Sequence, residues 1–235
     1  MSEKFVILKN IVKSFKTTIG DIVVLKDLSF EIEEGEFVVI AGPSGAGKTT
    51  LLNLLGGMDS ATDGKIFVGG KDVTAFREKE LTEYRRGDVG FVFQFYNLMP
   101  NLTALENIEL AVEICKNPLC PKEILKSVGL ESREKHFPAG LSGGEQQRVS
   151  IARAVAKNPK IILCDEPTGA LDYETGKRVL KLLHEICRTQ NKTVIIVTHN
   201  SALKEMADRV IVIKNGRAEK VIKNKNPKDI GSIEW

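Results

Sequence analysis

The chain has 235 residues, 42% hydrophobic and 28% charged, enough apolar material for one large domain with a buried core. Its 34 basic residues nearly balance 31 acidic ones, a net charge of +3, which gives no support to a nucleic-acid binder. No apolar run approaches the roughly 18 residues needed to span a bilayer, and the start Met1 to Phe5 lacks the apolar stretch of a secretory signal, so a cytoplasmic place without a membrane span of its own is expected. Four cysteines, Cys115, Cys120, Cys164 and Cys187, have no zinc-ligand spacing; Cys164 and Cys187 stand in apolar contexts and read as small buried hydrophobes.

In chain order, Phe5 to Leu8 and Ile22 to Leu25 are short β-branched runs that predict strands. Leu28 to Ile32 and Glu36 to Ile40 predict two more, with Glu33-Glu34-Gly35 as a hairpin turn between them. Phe37 to Ala41 is wholly apolar, as in a strand buried on both faces, and it leads into a glycine-rich loop and an apolar helix from Thr49 to Leu55. From about Phe95 to Ala139 the spacing turns helical, at Ala104 to Cys115 and Lys122 to Val128, with prolines at 100, 118, 121 and 138 as breaks. Gly144 to Ala156 (helix), Ile161 to Cys164 (strand), Thr175 to Thr189 (helix) and Thr193 to Thr198 (strand) alternate as parallel βαβ units do. Arg209 to Lys214 and Arg217 to Ile222 flank Asn215-Gly216, a hairpin signal, and the polar tail after Lys223 is expected to fray.

Three places carry chemistry. Gly42-Pro43-Ser44-Gly45-Ala46-Gly47-Lys48-Thr49 fits GxxxxGK[ST]: backbone N–H groups close around phosphates, the helix start faces them, Lys48 reaches the β- and γ-phosphates, and the Thr49 hydroxyl suits Mg2+. Thr50 extends the same contact. Asp165 and Glu166 follow the apolar run Ile161 to Cys164, at the strand end where α/β sheets bind ligands; Asp165 suits Mg2+ through water and Glu166 suits polarising an attacking water. In Leu141-Ser142-Gly143-Gly144-Glu145-Gln146-Gln147, Ser142 and Glu145 form a capping box, while the two glycines expose N–H groups at a helix start and make a second anion site.

Leu141 to Arg148 resembles the signature motif of ABC ATPases, and the resemblance covers nearly the whole chain. It implies an α/β fold: a P-loop NTPase core with a mainly parallel sheet (1–94 and 150–235), an antiparallel β subdomain on the N-terminal side, and a helical subdomain (95–149) carrying the signature. It also implies a homodimer with ATP at the interface, in which Ser142, Gly143, Gly144 and Glu145 of one copy, with Asp172 in the run Ala170-Leu171-Asp172, reach ATP on the other. Gln94 resembles the glutamine that senses Mg2+ and the γ-phosphate, His199 the switch histidine on the γ-phosphate, and Phe15 the aromatic that stacks on adenine, where the family more often has Tyr. Read without the family, Gln94 is a solvated polar residue and Phe15 a core or edge ring. His136 and His184 read as structural or surface groups.

Asp165 to Asp172, Thr175-Gly176, Thr198-His199-Asn200 and Met206 to Val210 are similar to the ATPases of lipoprotein-release, macrolide-export and antimicrobial-peptide-resistance systems, which pair with FtsX-like permeases. The resemblance implies a subunit peripheral on the inner face of the cell membrane. Phe95 to Pro100 is expected to line the groove that receives the permease, or else to be subdomain core. The alternative from another class is a mechanical or regulatory ATPase that moves no solute.

Overall fold

In the computed structural model, which describes residues 4–18 and 20–230, two sheets share the core. β1 (Lys4–Thr17), β2 (Gly20–Glu33), β4 (Asp63–Val68) and β5 (Lys71–Asp72) form an antiparallel sheet in the order β2-β1-β4-β5. β3 (Phe37–Ala41), β6 (Val89–Val92), β7 (Ile161–Asp165), β8 (Thr193–Thr198), β9 (Arg209–Lys214) and β10 (Arg217–Lys223) form a second sheet in the order β10-β9-β3-β8-β7-β6. Every pairing in the second sheet is parallel except β10 with β9.

Alternation along β3 explains how the two sheets stack. Phe37, Val39 and Ala41 face a core shared with α3 (Ala104–Val112), α4 (Pro121–Ser127), α5 (Gly143–Ala156) and α6 (Tyr173–Gln190). Val38 and Ile40 face the other way, into a core shared with α1 (Lys48–Leu55) and the antiparallel sheet. A strand covered on both faces has no polar side to show, which is why Phe37 to Ala41 and Thr193 to Thr198 are buried at every position. Each such Val or Ile contributes about 1.5–3 kcal/mol by leaving water.

Two expected features differ. The runs at 22–25 and 28–32 are one strand, β2, whose pairing with β1 is broken by bulges where Asn10 and Asp27 adopt positive φ (51° and 53°) and the Asn10 amide donates to Asp27 at 2.6 Å. The turn Glu33-Glu34-Gly35 does not close a hairpin: β2 stays in the antiparallel sheet and β3 enters the parallel one. An ion cluster holds that crossing. The Arg209 guanidinium forks onto both Glu36 oxygens at 2.7 and 2.8 Å and onto Glu33 at 3.0 Å, and Lys223 joins Glu33 at 2.6 Å. Glu36 is 7% exposed, so Arg209→Met strands a buried carboxylate and is expected to cost about 3 kcal/mol, read as a lower urea midpoint.

α2 (Glu78–Gly87) is a further helix, one that its sequence hardly signals because its ten residues carry only Leu81 and Tyr84 as apolar anchors. Tyr84 is buried, donates its hydroxyl to the Leu55 carbonyl at 2.7 Å, and has its phenol pushed well up by burial. The Asn215-Gly216 hairpin forms as expected. The tail does not fray over its described part: Asn224 donates to the Lys204 and Ala207 carbonyls, the Lys228 N–H to Glu205 O, and Ile230 is buried in the helical-side core. Residues 231–235 of that tail, and residues 1–3 of the start, lie outside the described residues. Cys164 and Cys187 are buried, with the Cys187 thiol pushed up to about 12 by burial, as inert core thiols should be. His184 sits edge-on to Phe37 at 5.5 Å, and burial lowers its pKa. Among the described residues no helix is long and apolar enough to cross a membrane.

Candidate functional site

The parallel register brings the ends of β3, β8 and β7 side by side, and the chemistry-bearing residues follow those ends. After β3 the chain turns through Gly42 to Gly47 into α1. Gly45 and Gly47 have φ of 75° and 96°, values that a side chain would strain, and Gly47 is packed against Val24 and Leu25 of β2. The bend leaves Pro43, Ser44 and Gly45 exposed and aims the start of α1 at the loop's interior. Lys48 is 8% exposed, and its ammonium donates to the Gly42 and Pro43 carbonyls, both at 3.0 Å. It folds back over the loop that precedes α1. Thr50 is half-buried behind it.

The Thr49 hydroxyl donates to Asp165 Oδ1 at 3.4 Å, across from α1 to the end of β7. Burial pushes the Asp165 carboxyl above its ordinary range, against the lowering effect of Thr49. A hydroxyl and a desolvated carboxylate are hard oxygen donors and fit Mg2+, whose charge would offset that desolvation. Among the described residues no cluster of three or more His, Cys, Asp or Glu could hold a metal by protein alone, so such an ion needs phosphate and water oxygens as well.

Glu166 adopts a positive φ of 46°, which turns its carboxylate toward the end of β8. Oε1 accepts from the His199 N–H at 2.8 Å and lies 2.8 Å from His199 Nδ1; Oε2 accepts from the Thr198 hydroxyl at 3.0 Å. The His199 side chain is otherwise exposed. Thr198 is buried and also accepts from Asn200 N–H, so it holds Glu166 from a fixed position.

At α5 the capping box forms as read: Ser142 Oγ accepts from Glu145 N–H at 3.3 Å, and Glu145 accepts from Ser142 N–H at 2.8 Å, a bond that lowers the Glu145 pKa. Arg133 adds a contact to Glu145 at 3.0 Å. A side chain on Gly144 would run into Thr175 of α6, and one on Gly143 would meet the Tyr96 hydroxyl at 2.9 Å. Asp172 caps α6 by accepting from Thr175 N–H at 3.1 Å. The starts of α5 and α6 are therefore one packed unit, with Ser142 exposed on it. Gln94 is exposed past the end of β6, its amide nitrogen beside Gly169. Phe15 is 41% exposed near the end of β1.

The side chains that sequence reasoning missed are the ones holding others. Arg153 of α5 donates to the Tyr96 and Asn97 carbonyls, so the loop after Gln94 is tied to α5. Asn107, 2% exposed, holds Met99 by its N–H and carbonyl at 2.7 and 3.1 Å. A groove of about 340 Å³ opens there, lined by Met58, Phe91, Phe93, Asn97 and Arg153 among others. Of the run Phe95 to Pro100 only Asn97 lines it; Phe95 is 77% exposed and Leu98 packs on the core.

The profile of the ABC transporter family matches residues 25–169. An ABC transporter ATP-binding protein of Mycoplasma pneumoniae is 43% identical over 99% of this chain, which spans about half (51%) of that relative's length. A lipoprotein-releasing system ATP-binding protein, LolD 2 of Caulobacter vibrioides, is 40% identical over 93% of this chain and 98% of its own. The fold superposes with a TM-score of 0.86, at 43% identity and over 93% of this chain and 98% of the other, on a dimeric ATP-binding cassette in a post-hydrolysis state bound to ADP and Pi.

Proposed function

Because the chain belongs to the ABC transporter family, as an ATP-binding and ATP-hydrolysing subunit, we propose that it transfers the γ-phosphoryl of Mg·ATP to water between two copies of itself and so drives a separate FtsX-like permease. The observation that carries this reading is the convergence of Lys48, Thr49, Asp165, Glu166 and His199 at the ends of three neighbouring parallel strands. Lys48 exchanges the Gly42 and Pro43 carbonyls for phosphate oxygens, and the loop N–H groups from Gly42 to Thr50, Pro43 having none, take the rest. Thr49, Asp165 and Gln94 would hold Mg2+, which supplies charge neutralisation on the phosphate oxygens.

Phosphoryl transfer asks the protein for positioning and charge stabilisation more than for covalent chemistry. Glu166 orients the attacking water and accepts its proton, and His199 touches the γ-phosphate. Ser142, Gly143, Gly144 and Glu145, with Asp172, come from the second copy and close over the same phosphates. Residues 95–149 act as a helical subdomain that swings on closure, and Arg153, just past its end on α5, ties the loop after Gln94 to that helix. The groove beside that loop receives a cytoplasmic element of the permease, which places the chain on the inner face of the cell membrane. The substrate class follows from the branch that the sequence resembles, a peptide, lipoprotein or drug-like molecule that is exported or extracted, and the lipoprotein-releasing relative supports the lipoprotein among them.

The test is co-purification of this chain with a membrane protein from its own cell, together with phosphate release from Mg·ATP. A partner with four or more membrane spans and a large extracellular domain, whose presence stimulates turnover, is the expected result. Turnover with no membrane partner would assign the chain to the mechanical or regulatory ATPases. No turnover in either setting would overturn the reading.

A further inference from the structure

Lys13 is a cation with 7% of its surface exposed, two residues before Phe15 on β1. Its ammonium lies 2.6 Å from Asp59 Oδ1 and 2.8 Å from the Ser60 carbonyl, and 4.7 Å from the centroid of the Phe15 ring. Asp59 is itself fixed, since Oδ1 also accepts from Ser60 N–H at 2.7 Å. The turn that carries it hangs from α1: the Met58 N–H donates to the Asn53 carbonyl at 2.9 Å. One side chain thus links the helix that begins with Lys48 and Thr49 to the ring near the end of β1.

We propose that Lys13 is the positioning residue for the nucleobase platform, holding the Phe15 ring at a set height and tilt relative to the phosphate loop. The inference rests on the reading that Phe15 stacks on the base. A phenylalanine has no hydroxyl with which to anchor its ring, so its orientation must come from contacts on its faces and edges. A desolvated ammonium on one face supplies such a contact, and it draws density from the ring, which eases stacking of a second π system on the other face. The carboxylate and the carbonyl hold that ammonium in place, so Lys13 acts through Phe15 and does not contact phosphate.

The test compares steady-state ATP hydrolysis by the whole chain and its Lys13→Met, Phe15→Ala and doubly substituted forms. Inhibition by magnesium tripolyphosphate, which has the phosphates and no base, is measured beside it. Lys13→Met is expected to raise KM for ATP about fivefold with kcat within about twofold. Tripolyphosphate inhibition should stay unchanged, Lys13→Met should add nothing in the Phe15→Ala background, and Lys13→Arg should restore most of the affinity. Asp59→Asn, which loosens the ammonium without removing it, should move KM in the same direction and covers the case in which Lys13→Met does not fold.

Weaker tripolyphosphate inhibition, a fall in kcat at constant KM, or full additivity with Phe15→Ala would overturn the proposal in favour of a structural role. If Phe15→Ala leaves KM for ATP untouched, the stacking reading itself fails and takes the inference with it. A raised KM in Phe15→Ala beside an unchanged Lys13→Met sinks the role of Lys13 alone.

Discussion

Replacing Glu166 by Gln is expected to cut ATP turnover by roughly 10³-fold while ATP binding survives and a nucleotide-bound dimer accumulates. Gln keeps the shape of the side chain. Its amide oxygen still accepts from the His199 N–H, and its amide nitrogen still reaches the Thr198 hydroxyl, so the turn at the positive φ of 46° is preserved. What Gln removes is the capacity to accept a proton from water. The loss therefore falls on the chemical step, and single-turnover phosphate release read beside gel filtration in Mg·ATP separates it from binding. Normal hydrolysis in this variant would remove Glu166 from its role.

Ser142→Arg is expected to abolish ATP-dependent dimerisation, weakening it by about 100-fold or more, with a modest effect on the monomer. The monomer loses a side-chain cap on α5 and gains a cation at a helix start, together about 1–2 kcal/mol. The Glu145 carboxylate remains on Arg133 and keeps that helix start partly neutralised. Ser142 is exposed, so the larger side chain meets no core; it points at whatever closes over the helix start. Sedimentation of Ser142→Arg in the Glu166→Gln background reads the dimer directly. Ser142→Ala, which removes the hydroxyl without adding bulk or charge, is the comparison and should weaken the dimer far less than the arginine variant. If the arginine variant still dimerises with ATP, the cross-subunit assignment is wrong.

Legibility in the sequence tracked how local each signal is. β3 and β8 were readable because a strand covered on both faces is apolar throughout, and the phosphate loop because its glycines and Lys48 are contiguous. The bulged union of β1 and β2 was not, since it rests on Asn10 meeting Asp27 across two strands. The crossing at Glu33 to Gly35 looked like a hairpin because its pull toward the other sheet comes from Arg209, far along the chain. In the site, Glu166, His199 and Ser142 could be named from their neighbours in sequence. Thr198 and Arg153 could not, because each acts on a group that only the fold brings near, and Lys13 could not because Asp59, which holds its ammonium, is 46 residues away.

The margins of the parallel sheet have a consequence for how copies of this chain meet. β6 is four residues long and lies under α2 and α5, so it offers almost no free ladder. β10 is longer and open, but it carries Arg217, Glu219, Lys220 and Lys223, and a bulge breaks its register between Ala218 and Lys220. Charged, kinked borders resist strand-by-strand stacking between molecules. Concentrated protein should therefore resist strand-by-strand association at these two borders.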